Sequence, residues 1–195
     1  MTRFVAVGLM VAGVLATGCR TRFLQVSVHP FVQPTEPPVD VTGRWVPEKE
    51  GTQWIDFVHG GENEWRVELF DADAAAARQK ECLGVVHFGR VGSTLYWDLT
   101  TAETESSGDT AKEHVLGLHS LARVRLDGET MEIAFLDPEW MSEALADGRL
   151  ALAHFRDEGE NDILTAPTAD IEAFLATYGE EPEAFGEPEV FHRAP

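Results

Sequence analysis

The side chains that could do chemistry in this chain are few and far apart. Its seven histidines are scattered, and a metal site would have to bring together His87, His119 or His154 from separate segments. His114 and His119 are close in sequence, but a spacing of five along a strand puts two side chains on opposite faces. The spacing therefore predicts no metal site.

Two short motifs have the composition of known sites but lack the partners that such sites need. His59-Gly60-Gly61 could form a backbone oxyanion hole, but the chain has no G-x-S-x-G nucleophile motif to act with it. The acidic run 157–162, DEGEND, lacks the alternating oxygen ligands and the glycine position of a calcium loop. We interpret Gly60 to Asn63 as a turn between strands, and DEGEND as a hairpin turn. Zinc-protease, phosphate-loop and C-x-x-C motifs are also absent, so the sequence predicts no catalytic residue and no cofactor.

One of the two cysteines, Cys19, follows the only long apolar run of the chain. Residues 4–16 are uninterrupted in their apolar character, come after Arg3 and close with small residues, which is the layout of a secretory signal. A membrane-spanning helix needs about 20 such residues, more than this run contains. We therefore predict a signal peptide at 1–18. The other cysteine, Cys82, is expected to be a small buried residue on a strand.

The residues before Cys19, LATG, resemble the lipobox of bacterial lipoproteins. The resemblance implies that Cys19 becomes the first mature residue, with a diacylglyceryl group on its sulfur and a further acyl chain on its amine. Two or more acyl chains hold a protein firmly on a membrane, because each buried CH₂ contributes about 0.8 kcal/mol. The expected location is the bacterial cell envelope, on the outer membrane where the cell has one, and an ordinary cleaved signal is the alternative.

The charge of the chain limits its partners. The formal net charge is −19 at pH 7, with 34 acidic against 15 basic residues. Such a surface repels nucleic acid and anionic head groups. We predict no nucleic-acid partner.

The elements that would position any site are mostly strands. Residues 19–42 contain a proline-rich stretch and are expected to form an extended lead from the lipid anchor into one β-rich domain, residues 43–195. In WRVELF and TLYWDL, apolar residues alternate with others, which is typical of strands that are buried on one face. The apolar positions are Trp65, Val67 and Leu69 in the first segment, and Leu95, Trp97 and Leu99 in the second.

A hairpin is indicated between 121 and 135. If Asp127 and Gly128 form a two-residue turn, Leu126 lies opposite Glu129. The same register pairs apolar with apolar residues on one face and places arginines opposite polar residues on the other. The predicted pairs are Val124 with Met131, Ala122 with Ile133, Arg123 with Glu132, and Arg125 with Thr130.

Two short helices are indicated near the end of the chain. The first has Asp137 as its N-cap, Pro138 at its first position and Gly148 as its stop. The second opens at Thr168 and ends at Gly179, and its apolar residues form one stripe that should lie on the sheet. Trp140, Met141 and Leu145 of the first helix are interpreted as core residues.

Two resemblances extend this interpretation. Three segments, VHPFVQPTEPPVDVTGRW, HSLARVRLDGETMEIAFLDPEWMSEAL and LTAPTADIEAFLATYGEEPEAFGEPEVF, resemble a family of small uncharacterised bacterial lipoproteins with no established activity. Gly43-Arg44-Trp45 resembles the G-x-W at the start of the first lipocalin strand, where the tryptophan plugs one end of an eight-stranded barrel. The second resemblance implies a structural role for Trp45.

The expected fold class is mainly β (α+β): an antiparallel meander sheet or a lipocalin-like barrel, with two short helices packed on it. Two functions follow from it. The first is a non-enzymatic, lipid-anchored envelope protein whose domain is an interaction or structural module for a protein partner. The second is a lipocalin-like binder of a small apolar ligand, which requires a hollow barrel with an open mouth. A core packed to its centre would favour the first.

Overall fold

The computed structural model describes residues 27–49, 53–71, 79–101, 118–157 and 161–195. Cys19 and the predicted signal peptide lie outside these residues, and so does the side chain of Cys82.

Eight antiparallel strands close into a barrel, which confirms the predicted fold class. Around the barrel the strands follow the order β1-β10-β7-β6-β5-β4-β3-β2, and β8 and β9 form a separate two-stranded sheet. The strands are β1 (Gly43–Pro47), β2 (Gln53–Gly61), β3 (Glu64–Asp71), β4 (Gln79–Val91), β5 (Thr94–Thr101), β6 (His119–Leu126), β7 (Thr130–Phe135), β8 (His154–Arg156), β9 (Asp162–Leu164) and β10 (Glu189–Arg193).

The alternating pattern of the strands produces the inner core of the barrel. Trp65, Val67 and Leu69 are all buried, while Arg66 between them is exposed, as the period of two requires. Facing residues of the other strands are also buried. Those that meet inside the barrel include Trp45, Ile55, Phe57, Val86, Phe88, Leu95, Trp97, Leu99, Val124, Met131, Ile133 and Phe191.

The β6–β7 hairpin forms, but the predicted register is wrong by two residues. Val124 pairs with Ile133, and Arg125 pairs with Glu132. The turn is centred one residue later than predicted, on Gly128 and Glu129, because Gly128 has a φ of 96° and takes the position that favours glycine. A shift of two residues keeps every side chain on its predicted face.

The other predicted pairs change in the same way. Leu126 lies opposite Met131, Arg123 opposite Ala134, and Ala122 opposite Phe135.

The turn between β2 and β3, predicted at residues 60–63, is shorter than expected. Gly60 and Gly61 belong to β2, and the turn consists of Glu62 and Asn63.

Two helices cover part of the barrel, as predicted. Helix α1 is Pro138–Ala146 and helix α2 is Thr168–Tyr178, and a 3-10 turn, Pro182–Ala184, follows them. Their apolar side chains pack on the outward residues of β5, β6 and β7 and form an outer core. It includes Tyr96, Leu121, Ala134, Leu136, Trp140, Met141, Leu145, Ile171, Phe174, Leu175 and Phe185.

The proline-rich segment 27–42, here called the strap, lies along the outside of the barrel. Ser27 exchanges backbone hydrogen bonds with His119 at the start of β6, and the Thr35 N–H donates to the Phe88 carbonyl of β4 at 2.6 Å. A side chain at Gly89 would clash with Val32, so the strap requires glycine at this position of β4. The strap thus crosses β6, β5 and β4 before it reaches β1.

The barrel has two different ends. The short turns β2–β3, β4–β5 and β6–β7 lie at one end, here called the turn end. The longer connections between β1 and β2, between β3 and β4 and between β5 and β6 belong to the opposite end, here called the loop end. Ser27 joins the barrel at the loop end, because His119 is the first residue of β6.

Candidate functional site

The inside of the barrel is filled with aromatic rings. The centroid of the Phe57 ring lies 6.5 Å from the centroid of the Phe88 ring and 6.2 Å from that of the Trp97 ring. Trp65 meets Phe88 edge-on at 5.3 Å. Since rings from β2, β3, β4 and β5 touch one another, the described strands enclose a packed core.

Trp45 lies fully buried in this core and is held by a hydrogen bond and by a guanidinium that lies over its ring. Its indole N–H donates to the Val41 carbonyl at 2.8 Å, where the strap meets β1. The Arg193 guanidinium lies 4.5 Å from the centre of its ring. That guanidinium also donates to the carbonyls of Asp40, Thr42 and Gly128, so it joins the strap to the β6–β7 turn over the tryptophan.

Asp127, Gly128 and Asp137 have positions in turns and caps. The Asp127 carboxylate accepts the Thr130 N–H at 2.9 Å across the β6–β7 turn. Asp137 is the N-cap of α1, and its carboxylate accepts the Trp140 N–H at 2.9 Å. Both carboxylates accept a hydrogen bond from the backbone beside them, which accounts for their positions in the turn and at the cap.

The histidines are held apart. The nearest carboxylates to three of them belong to three different places: Glu64 for His87, Asp98 for His119, and Asp162 for His154. Within the described ranges, no group of three or more histidine, cysteine, aspartate or glutamate side chains is placed to hold a metal ion.

Asp98 and His119 form the most buried pair of ionisable side chains in the part of the chain that the structure describes. Asp98 is 1 % exposed, and one of its carboxylate oxygens accepts from His119 Nδ1 at 2.7 Å. The other oxygen accepts the Phe31 N–H of the strap at 2.7 Å. Asp98 thus connects the strap to β5 and β6.

A groove of about 280 Å³ opens at the turn end and gathers basic side chains. Its walls come from the strap, the β4–β5 turn, β6 and the end of α2. We call it the arginine groove, because Arg90, Arg123 and Arg125 line it together with Pro38, Ser93, Thr94, Leu95, Val124, Leu126 and Glu180.

The three arginines differ in how firmly they are held. Arg123 donates to the Gly179 carbonyl at 2.8 Å and lies 4.9 Å from the centre of the Phe185 ring. Arg125 is exposed, and its Nη1 lies 3.5 Å from a Glu132 carboxylate oxygen. Arg90 is also exposed and donates to the Ser93 carbonyl. Arg123 is therefore a fixed positive charge, and the other two can reorient toward a bound group.

Positive charges outnumber negative ones in the lining of the groove. Glu180 is the only carboxylate in its lining among the described residues, and it accepts a hydrogen bond from the Thr94 hydroxyl. Burial raises the pKa of Tyr96, beneath the end of α2, to about 12, and the negative charge of Glu180 adds to the rise. The tyrosine hydroxyl thus stays neutral at physiological pH.

The groove can bind oxyanions, because guanidinium groups form charge-assisted, often bidentate hydrogen bonds with carboxylate and phosphate. Sequence reasoning missed it, since the arginines come from two strands and the other walls from the strap and α2. The available signal was Arg123 and Arg125 at alternate positions of β6, which share one face in a strongly acidic chain.

In the part of the chain that the structure describes, no helix has the length and apolar character needed to cross a membrane. No protein-family model, curated protein or solved structure matches this chain.

Proposed function

We propose that this protein is a non-enzymatic, lipid-anchored lipoprotein of the bacterial envelope, and that its barrel is an interaction module that binds an acidic protein segment in the arginine groove. The anchor is Cys19, as the lipobox resemblance implies. The single observation that carries the choice of an interaction module is the filled barrel. Rings from four strands occupy the centre, where a lipocalin-like binder needs space for its ligand.

The chemistry of the groove selects the class of partner. Three guanidinium groups share a groove with one carboxylate in a chain of net charge −19. A carboxylate-bearing protein segment suits both facts, because it pairs with the arginines and needs only local contact. A long polyanion such as nucleic acid would meet the repulsion of the whole surface.

One observation favours the second function, binding of a small apolar ligand inside the barrel. The indole N–H groups of Trp65 and Trp97 are buried in the inner core, and neither has a hydrogen-bond partner among the described residues. A ligand with a carbonyl or ether oxygen would satisfy them, although the packed rings would have to move to admit it.

The anchor is tested by Cys19→Ser. Cells that express the natural or the variant protein are fractionated, and the membranes are washed with high salt. We expect the natural protein in the membrane pellet and the variant in the soluble fraction. A variant that stays in the washed pellet would contradict the anchor.

The groove is tested with a fluorescein-labelled oligoglutamate peptide and the purified protein. We expect binding by fluorescence anisotropy that weakens at least tenfold in the double variant Arg90→Gln/Arg125→Gln and weakens with added salt. The matched control is Arg66→Gln/Arg149→Gln, which makes the same change of charge at two exposed arginines that do not line the groove. Equal loss in both double variants would mean that net charge, and not the groove, controls binding.

A further inference from the structure

We propose that the loop end of the barrel faces the membrane and that the arginine groove is directed away from it. The inference rests on the proposed acylation of Cys19. It concerns how the anchored domain is oriented, and it predicts which surface touches lipid and which is free for a partner.

The first observation is how few residues separate the proposed anchor from the point where the chain is fixed to the barrel. Ser27 is held by backbone hydrogen bonds to His119 of 3.3 and 2.8 Å, and the Val28 N–H donates to the Leu164 carbonyl at 3.0 Å. Ser27 follows Cys19 by eight residues. Eight residues reach at most about 28 Å, the length of the fully extended chain.

The second observation is where the tether joins. Ser27 pairs with the first residue of β6, so it joins the barrel at the loop end. To bring the turn end to the membrane, the tether would have to run back along the whole barrel. The separation of the two ends can be judged from β2, where the eight residues from Trp54 to Gly61 cover about 23 Å. A tether of at most about 28 Å would have to be almost fully extended to bring the turn end to the membrane, whereas the loop end needs no such extension, so the length favours the loop end as the membrane-facing one.

The third observation is an apolar row at the same end. Val46, Trp54 and Phe70 lie side by side across β1, β2 and β3, each one residue inside the loop-end limit of its strand. Trp54 and Phe70 are stacked at 5.3 Å, and Val46 is 36 % exposed. We call this set the rim row.

The rim row suits contact with a lipid interface. Tryptophan is favoured where an apolar surface meets head groups, and phenylalanine is common on the apolar face of elements that lie in the interface. Arg44, whose guanidinium lies 4.6 Å from the centre of the Trp54 ring, has the long stem that lets a charge stay in water above lipid. Since the chain is acidic, the contact should be made with zwitterionic lipid through apolar groups, without attraction to anionic head groups.

The experiment uses the full-length, acylated protein in phosphatidylcholine vesicles that contain a lipid with a nitroxide on its head group. A fluorophore is attached to a single cysteine at Val46→Cys, Val58→Cys or Ser93→Cys, each in a Cys82→Ala background. Val46 and Val58 are matched, because both are exposed valines on the same outer wall, 36 % and 43 % exposed. Val58 lies four residues farther along the wall, about 13 Å from the row. Ser93 lies in the β4–β5 turn at the turn end.

We expect the nitroxide to quench the label at position 46 at least threefold more than the label at 58, and to leave the label at 93 unquenched. Equal quenching at 46 and 93, or stronger quenching at 93, would overturn the orientation. Mass spectrometry of Cys19 and flotation with the vesicles are measured on the same samples. Loss of the acyl groups and of flotation would overturn the proposed function together with the orientation, whereas flotation with the wrong quenching order overturns the orientation alone.

Discussion

The two walls of this barrel carry the same kind of strand but have different surroundings. The wall made by β4, β5, β6 and β7 lies beneath the strap and both helices, and we call it the covered wall. The outer core contains no described residue of β1, β2, β3 or β10, which form the bare wall. On the covered wall, β5 is buried on both faces from Leu95 to Leu99, whereas β3 on the bare wall alternates between buried and exposed or half-buried residues.

The difference shows where the domain has a second core. Tyr96 on β5, Leu121 on β6 and Ala134 on β7 point outward and are buried by the helices. The outward positions of the bare wall include Asp56, which pairs with Arg44, and Arg66, which pairs with Glu68. Both ion pairs lie at the surface. The stability of the covered wall thus depends on two layers of apolar contact, and that of the bare wall on one.

The largest expected effect separates the two walls directly. Leu121→Asp places a charge in the outer core, where Leu121 is 2 % exposed, and an unpaired buried charge is among the most destabilising changes known. We expect this variant to lose its cooperative unfolding transition, measured by circular dichroism during heating. The control, Val58→Asp, puts the same charge at an exposed position of the bare wall and should change stability by less than about 0.5 kcal/mol. Similar losses in both variants would show that the walls are equivalent.

The bare wall could be predicted well from the sequence, because one buried face gives a clean alternation. Trp65, Val67 and Leu69 point inward as expected, and both helices form within the predicted limits. The outward burial of Tyr96 and Asp98 could not be derived from the period of β5, since it depends on which distant segments cover that strand. The strap reaches Asp98 from 67 positions away.

The errors of register and site have the same physical origin. A shift of the β6–β7 turn by one residue preserves the pattern of buried faces, so periodicity could not decide between Asp127 and Gly128 as the first turn residue. The arginine groove depends on Pro38 and Glu180, which the fold brings beside β6 from opposite ends of the domain. A site built from distant segments can be predicted from sequence only when its residues belong to a motif of fixed spacing. The residues of this groove do not form such a motif.

The second prediction compares two tryptophans, one in the inner core and one on the bare wall. Trp45→Ala removes a fully buried ring and should lower the free energy of unfolding by about 3–5 kcal/mol, measured by urea titration. Trp54→Ala removes a half-buried ring that packs on Phe70 and Arg44, and it should lower the free energy of unfolding by clearly less than Trp45→Ala does. The emission lost on replacing Trp45 should be blue-shifted and resistant to iodide. A red-shifted component that iodide quenches fully, with unchanged stability, would mean that Trp45 is exposed in solution.

The smallest effect concerns how the covering layer is held together. Asp162 on β9 is buried, accepts two hydrogen bonds from Arg156 at 3.2 and 2.9 Å, and accepts the Ser142 hydroxyl of α1 at 2.6 Å. The hydrogen bonds from Arg156 lower the pKa of the Asp162 carboxyl, against the opposing effect of burial, and Ser142 lowers it further. This carboxylate therefore joins α1 to the β8–β9 hairpin most strongly while it is ionised.

Its pH dependence follows from the direction of that shift. Because the folded-state pKa is lowered, the contribution to stability is complete above the ordinary pKa of an aspartate and is lost as the pH falls through the folded-state value. We expect Asp162→Asn to be less stable than the natural protein by about 1 kcal/mol at pH 7, and the difference to shrink in urea titrations between pH 5 and pH 2.5. Asp147→Asn, which breaks a solvent-exposed pair with Arg149, should change stability less, because water screens that pair. A constant difference between Asp162→Asn and the natural protein across this pH range would show that the charge of Asp162 does not hold the covering layer.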